Sequence, residues 1–191
     1  MSDENNKVSA LFYNSFTNFI RFLSSSSDEW QKLDMPYDEF DVLVNDIDEL
    51  ELETIGRTYE IGNLSAGVFS SPAFPVNGHI LVRNLRFMVS LVCQWAGKPN
   101  QPSVNVWFLI DTGSPFTCLT MKSMKAILGA NKEIYENDRF EIAIQDQNSK
   151  IQCQVSKAHF KEVNILGADS ILDLGFSIKV IGRKEFQLVK L

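Results

Sequence analysis

The sequence predicts a mostly β domain with a short helix near its C-terminus, preceded by an acidic α-helical segment. Three observations predict it. Apolar residues recur at helical spacing through the first fifty positions. From His79 onward, short apolar runs separated by turn residues replace that period. One of those runs, Trp107-Phe108-Leu109-Ile110, leads straight into Asp111-Thr112-Gly113-Ser114.

In chain order, Val8, Leu11, Phe12, Phe16, Phe19, Ile20 and Leu23 share one helical face over residues 8–23. Four serines, Ser24–Ser27, break that helix, and Ser27 can cap a turn around Trp30 and Leu33. Pro36 opens a second helix, with Phe40, Leu43, Val44 and Ile47 on one stripe. Asp38, Glu39, Asp41, Asp46, Asp48 and Glu49 are expected to face water. Gly56, Gly62, Gly67, Pro72, Pro75 and Gly78 then punctuate a stretch without period, read as a linker over 61–78.

Phe87–Trp95 is a strand apolar on nearly both faces, and the loop 97–103 returns the chain into Val104–Ile110 as a hairpin. Thr120 is a candidate N-cap for a helix carrying Met121, Met124, Ile127 and Leu128, with Gly129 as its stop. Phe140–Gln145 and Ile151–Val155 form a second hairpin. Ala168–Leu174 is a short helix ended by Gly175, and Phe176–Val180 and Phe186–Leu191 close the chain as strands.

The chemistry concentrates at two motifs. At the first, a strand delivers a carboxylate into a tight turn, where Gly113 permits close backbone approach. There Thr112 can lock the turn, and Ser114 can hydrogen-bond the carboxylate. At the second, Val163-Asn164-Ile165-Leu166-Gly167-Ala168-Asp169, an apolar pair precedes a glycine and a short helix. In both motifs and in their order the chain resembles the retropepsin-like aspartic proteases, the single-lobe retroviral and retrotransposon-type relatives of pepsin. The resemblance covers about residues 76–191. It implies an acid-protease β-barrel in which Ile165, Leu166 and Gly167 cross beneath the Asp111 loop. It also implies that Asp111 is the catalytic residue and that Thr112, Gly113 and Ser114 shape its loop. The chemistry needs two carboxylates sharing a proton. This chain carries one such motif, so an active form is expected to be a symmetric homodimer acting on a peptide or protein.

Proteases of this type close a glycine-tipped hairpin flap over the substrate. Residues 129–139 are polar and hold one glycine, at a helix stop, so no such hairpin is expected there. If Phe140–Val155 follows the flap, the flap is short or missing; if it is itself the flap, its tip is Gln147-Asn148. Cover for a peptide would then come from the linker or the N-terminal helices.

Residues 1–60 hold 14 acidic and 4 basic side chains, a balance of −10; residues 61–191 hold 10 and 14, a balance of +4. That modest surplus, without a basic cluster, argues against nucleic acid. No apolar run reaches a membrane span, and no secretory signal opens the chain. Cys93, Cys118 and Cys153 read as reduced, buried thiols of an intracellular protein, expected in the cytoplasm, and no pattern calls for a metal or cofactor. The expected organisation is an acidic helical segment over 1–60, a linker over 61–78 and a retropepsin-like domain over 79–191. The expected function is aspartic endopeptidase; the alternative is a silent retropepsin fold kept for dimerisation or peptide binding.

Overall fold

The computed structural model describes residues 46–191. The helix expected over 8–23, the serine run, and the Pro36 helix up to residue 45 lie outside the described residues. Among the described residues nine strands make one sheet: β1 Val76–Leu81, β2 Arg86–Trp95, β3 Val104–Ile110, β4 Cys118–Leu119, β5 Arg139–Ile144, β6 Lys150–Val155, β7 Asn164–Leu166, β8 Phe176–Val180 and β9 Glu185–Lys190. Its order is β3-β7-β4-β6-β5-β2-β1-β9-β8, and β3 also pairs with β2. Strands β3, β7, β4, β6, β5 and β2 therefore close on themselves as a barrel, while β1, β9 and β8 extend from it as a sheet. This is the mostly β barrel, with short helices, that the sequence leads one to expect.

Closure depends on β2, a ten-residue strand. Its first half pairs with β1, its middle with β3 and its last three residues with β5. A strand that switches partners must be buried on both sides, and Met88, Val89, Leu91 and Cys93 are inaccessible to solvent. The same holds for β3. Val106 and Phe108 face the barrel interior with Val89, Leu91 and Ile142. Trp107 and Leu109 point outward into a second apolar layer with Ile47, Leu52, Ile55 and Ile165.

That outer layer is covered by α1 (Glu49–Thr58), a helix the sequence reading did not separate from the stretch after Pro36. Asp48, exposed as expected, is also its N-cap: the carboxylate accepts the Glu51 N–H at 2.8 Å. Glu49 and Glu51 in the first turn and Arg57 in the last suit the helix dipole. Asp46 anchors the approach to α1, accepting from the Arg86 guanidinium at 3.1 Å and from the Asn84 amide at 2.6 Å. Burial alone would raise its carboxyl; those hydrogen bonds and the Arg86 charge outweigh burial and hold it below the ordinary value. At the other end Tyr59 stacks on His79, ring centroids 3.5 Å apart, and the Trp107 indole donates to the Ile61 carbonyl at 2.7 Å.

The stretch read as a linker is pinned along its middle. Leu64 donates to Asn105, Asn105 to Ser65, and Gly67 to Ser103, so it pairs with the first residues of β3. The helix α2 (Met121–Leu128) is capped as expected: Thr120 accepts from the Ser123 N–H, and Gly129 ends it at φ +101°. The three cysteines are buried thiols, and burial pushes those of Cys93 and Cys153 upward. Strand β9 is an inner strand between β1 and β8. Its Phe186 ring lies over Gly78, where a Cβ would come within 2.1 Å of it.

Candidate active site

Asp111 sits at the mouth of the barrel because of how β7 is threaded. The chain leaves β3, turns through Asp111–Ser114 and enters β4, yet β3 and β4 are not neighbours. β7 lies between them, parallel to β3 and antiparallel to β4. Leu166, the last residue of β7, accepts the Asp111 N–H at 3.1 Å. The Leu166–Gly167 step thus passes directly under the turn, as expected for the second motif. Only glycine fits there: a Cβ on Gly167 would lie 2.4 Å from the Phe116 carbonyl group.

Asp111 is half-buried, whereas Thr112 and Gly113 are exposed. The carboxylate accepts the Gly113 N–H at 2.9 Å. A side chain at Gly113 would place its Cβ 3.2 Å from that same oxygen, so glycine keeps the carboxylate uncrowded. The Ser114 hydroxyl donates to the Phe116 carbonyl at 3.0 Å, not to Asp111 as the sequence reading expected. The Ser114 carbonyl in turn accepts from Ala168, which ties the loop to the segment that follows the crossing glycine. Among the described residues, the Thr112 hydroxyl has no partner.

The locking role falls to two residues that the sequence reading passed over. The Thr117 N–H and hydroxyl donate to the two oxygens of Asp169, at 3.0 and 2.7 Å. The Thr117 oxygen also accepts the Gly167 N–H at 3.0 Å and lies 2.6 Å from the Ser170 hydroxyl. With its one proton committed to Asp169, Thr117 must accept from Ser170. This closed set of bonds fastens the Asp111 loop to the first turn of α3 (Ala168–Asp173). The signal was present in sequence, a carboxylate two residues after the crossing glycine and a hydroxyl six after Asp111, but the partners are 52 residues apart. Asn164 makes a parallel tie, donating to the Trp107 carbonyl and accepting the Thr120 N–H while wholly buried.

No family model and no curated protein matches this chain. Among solved structures, a similar chain is a retropepsin-like aspartic protease from Rickettsia conorii. It is 14% identical, with a TM-score of 0.40 over 60% of this chain and 89% of that one. So loose a superposition carries no argument, and the fold stands on its own register.

The register also locates the two candidate covers. Residues 129–138 hold no strand, in keeping with the expectation that no hairpin forms there. Instead Tyr135 and Asp138 close a local turn, and Ile134 packs against the core. The β5–β6 turn points toward the Asp111 end of the barrel, because β5 and β3 both run antiparallel to β2. Ile144 pairs with Cys93, and Cys93 with Val104 at the start of β3. Around the other side of the barrel Gln154 is level, through Cys118 and Ile165, with Leu109, and β6 runs away from that end, so Gln147-Asn148 lies on the Asp111 side as a short polar hairpin tip. The stretch 64–67 is pinned at the opposite end, beside the first residues of β3, and supplies no cover there. No described helix is long and apolar enough to cross a membrane.

Proposed function

We propose that this chain is an aspartic endopeptidase of retropepsin type, working as a homodimer in which Asp111 of each subunit faces its mate. The observation that supports it best is the threading of Leu166–Gly167 beneath the Asp111 turn. It delivers one carboxylate on a rigid, glycine-relieved loop to the mouth of a closed barrel. A lone carboxylate there is half of a general acid–base pair. Two of them sharing one proton supply both functions. The ionised carboxylate removes a proton from water as its oxygen attacks the peptide carbonyl, and the protonated one gives its proton to the carbonyl oxygen. Collapse of the tetrahedral intermediate expels the amine, which takes a proton from the carboxylic acid formed in the first step, while a hydroxyl of the intermediate returns its proton to the other carboxylate. Thr112, whose hydroxyl has no partner among the described residues, is available to brace the loops across the two-fold axis. Gly113 and Ser114 shape the turn. The reading needs no metal or cofactor, and we place the protein inside the cell.

A second reading, a silent fold kept for dimerisation or peptide binding, is favoured by one observation. Residues 129–138 form no hairpin, which leaves the short polar β5–β6 turn at Gln147-Asn148 as cover, and a poorly closed site turns over slowly. The experiment that separates the two is cleavage of a mixed peptide library across a pH series by wild-type chain and by Asp111→Asn. The protease reading expects cleavage that Asp111→Asn abolishes, with little change in thermal stability because Asn keeps the shape of Asp. Cleavage retained by Asp111→Asn overturns it; no cleavage at any pH favours the silent module.

A further inference from the structure

Between α1 and the sheet lies a cavity of about 280 Å³. Ile47, Ile80, Leu81 and Val82 give it apolar walls. Its polar groups come from both sides: Glu51 and Tyr59 from α1 and its C-cap, and Lys184 from the β8–β9 turn. Asp46 lines it too, but its carboxylate is committed to Arg86 and Asn84. The other three end groups are not. Among the described residues, the Glu51 carboxylate, the Lys184 ammonium and the Tyr59 hydroxyl enter no hydrogen bond or ion pair. The neighbouring acids of the same helix differ in this respect, since Glu49 and Glu53 both meet Lys122. Unpaired charges of both signs thus converge on one small apolar hollow, which is how sites for small polar molecules are built.

The two charges stand toward opposite ends of the cavity. α1 runs against β1: Asp46, just before the helix, holds Asn84 and Arg86 at the β1–β2 turn, whereas Tyr59 at the C-cap stacks on His79. Glu51, in the first turn of α1, belongs to the β1–β2 turn end. Lys184 belongs to the Tyr59 end, because its carbonyl accepts the N–H of Ile80, the residue after His79. The volume falls just under the range of about 300–1,000 Å³ that holds drug-sized ligands, so the occupant is short. We propose that this cavity binds a small zwitterion with an apolar body, a free apolar amino acid or a dipeptide. Its ammonium donates to the Glu51 carboxylate. Its carboxylate accepts from the Lys184 ammonium and the Tyr59 hydroxyl, and its side chain lies on Ile47, Leu81 and Val82. Both ends are charge-assisted bonds, stronger than neutral ones. The ligand ties α1 to the sheet at a place beyond the Asp46 clamp and the Tyr59–His79 stack, so occupancy stabilises the fold by mass action. The cavity shares no residue with the Asp111 loop, and the proposal stands apart from the protease reading.

The test is calorimetric titration and thermal melting of the full chain with L-leucine and with L-leucyl-L-leucine. L-Leucinamide and N-acetyl-L-leucine serve as counterparts that each keep only one charge. Saturable binding of a zwitterion is the expected result, with a melt that rises with its concentration, and the tighter of the two gives the ligand's length. Each singly charged counterpart should bind at least tenfold more weakly. Glu51→Gln should erase the advantage of leucine over N-acetyl-leucine, and Lys184→Gln its advantage over leucinamide. Neither residue is buried, so both variants should keep the fold, which circular dichroism checks without ligand. Failure of both zwitterions to bind at millimolar concentration overturns the proposal. Counterparts that bind as tightly as leucine overturn the zwitterion. Binding indifferent to both substitutions overturns the assignment to this cavity. Peptide cleavage through Asp111 is measured separately, and neither its presence nor its absence changes these outcomes.

Discussion

Replacing Thr117 by valine removes one hydroxyl while keeping the side-chain shape, and so isolates the clasp beneath Asp111. It strips the Gly167 N–H, the Ser170 hydroxyl and one Asp169 oxygen of a partner at once. Leaving such groups unsatisfied costs on the order of 1–3 kcal/mol, so chemical denaturation of Thr117→Val should show about 2 kcal/mol of destabilisation. A loss below about 0.5 kcal/mol would mean that the clasp is ornamental. Gly167→Ala tests the crossing itself. Its Cβ would meet backbone, which cannot rotate away, and overpacking of this kind costs about 1–3 kcal/mol or more. We expect a melt lowered by several degrees, and an unchanged melt would show that the crossing is looser than drawn. At this scale the sequence disclosed what is local. Asp111 at a strand end, Gly113 in the turn and the Ile165-Leu166-Gly167 step were readable because neighbours in the chain define them. The partners of Thr117 were not, since they depend on β7 arriving between β3 and β4.

Elements were legible wherever a cap or period marked them. Thr120 and Gly129 bound α2 as expected, and the hairpin over 140–155 matched because alternation and a polar turn coincide there. The helix α1 was blurred into the acidic stretch before it, because Asp48 reads equally as a solvated side chain and as an N-cap. Its attachment can be tested with Leu52→Ala. Leu52 is 1% exposed beneath the helix, against Trp107 and its neighbours. If α1 belongs to the cooperative unit, the substitution should cost about 2–4 kcal/mol in urea denaturation; a value below about 1 kcal/mol would mark the helix as an appendage. The Tyr59–His79 stack at its end adds a pH dependence. Burial lowers the His79 pKa, and nearby Glu185 only partly opposes that. The folded state therefore binds this proton less readily than the unfolded chain. Its contribution to stability is complete above the ordinary value of 6.5 and is lost as pH falls below it. Asp46 and Asp146, also held below their ordinary 3.8, act only at more acid pH. Between pH 7.5 and 5.5 the wild-type melt should therefore fall more than that of His79→Phe, which keeps the stack and removes the proton. Equal slopes would dismiss His79 as the cause.

At the scale of the whole molecule, barrel closure could not be read from periodicity, because it turns on β2 changing partners along its length and on one parallel crossover. Only the resemblance at two motifs anticipated it. The same motifs raise the question of stoichiometry, which one chain cannot answer: a single Asp111 is either half of a site or no site. Mixing decides this. In a homodimer that exchanges subunits, a chain carrying Asp111→Asn folds and pairs normally but brings a partner without a carboxylate. With equal amounts of wild-type and Asp111→Asn chain, random pairing leaves each wild-type subunit a competent partner about half the time. Peptidase activity per wild-type chain should then fall to about one half, and to about one tenth with a ninefold excess of the variant, by the mass action of subunit exchange. Dilution should act in the same direction, since dissociation separates the two carboxylates. Activity per wild-type chain that is indifferent to any excess of Asp111→Asn would mean that one chain performs the chemistry alone, and the paired-carboxylate mechanism would have to be abandoned.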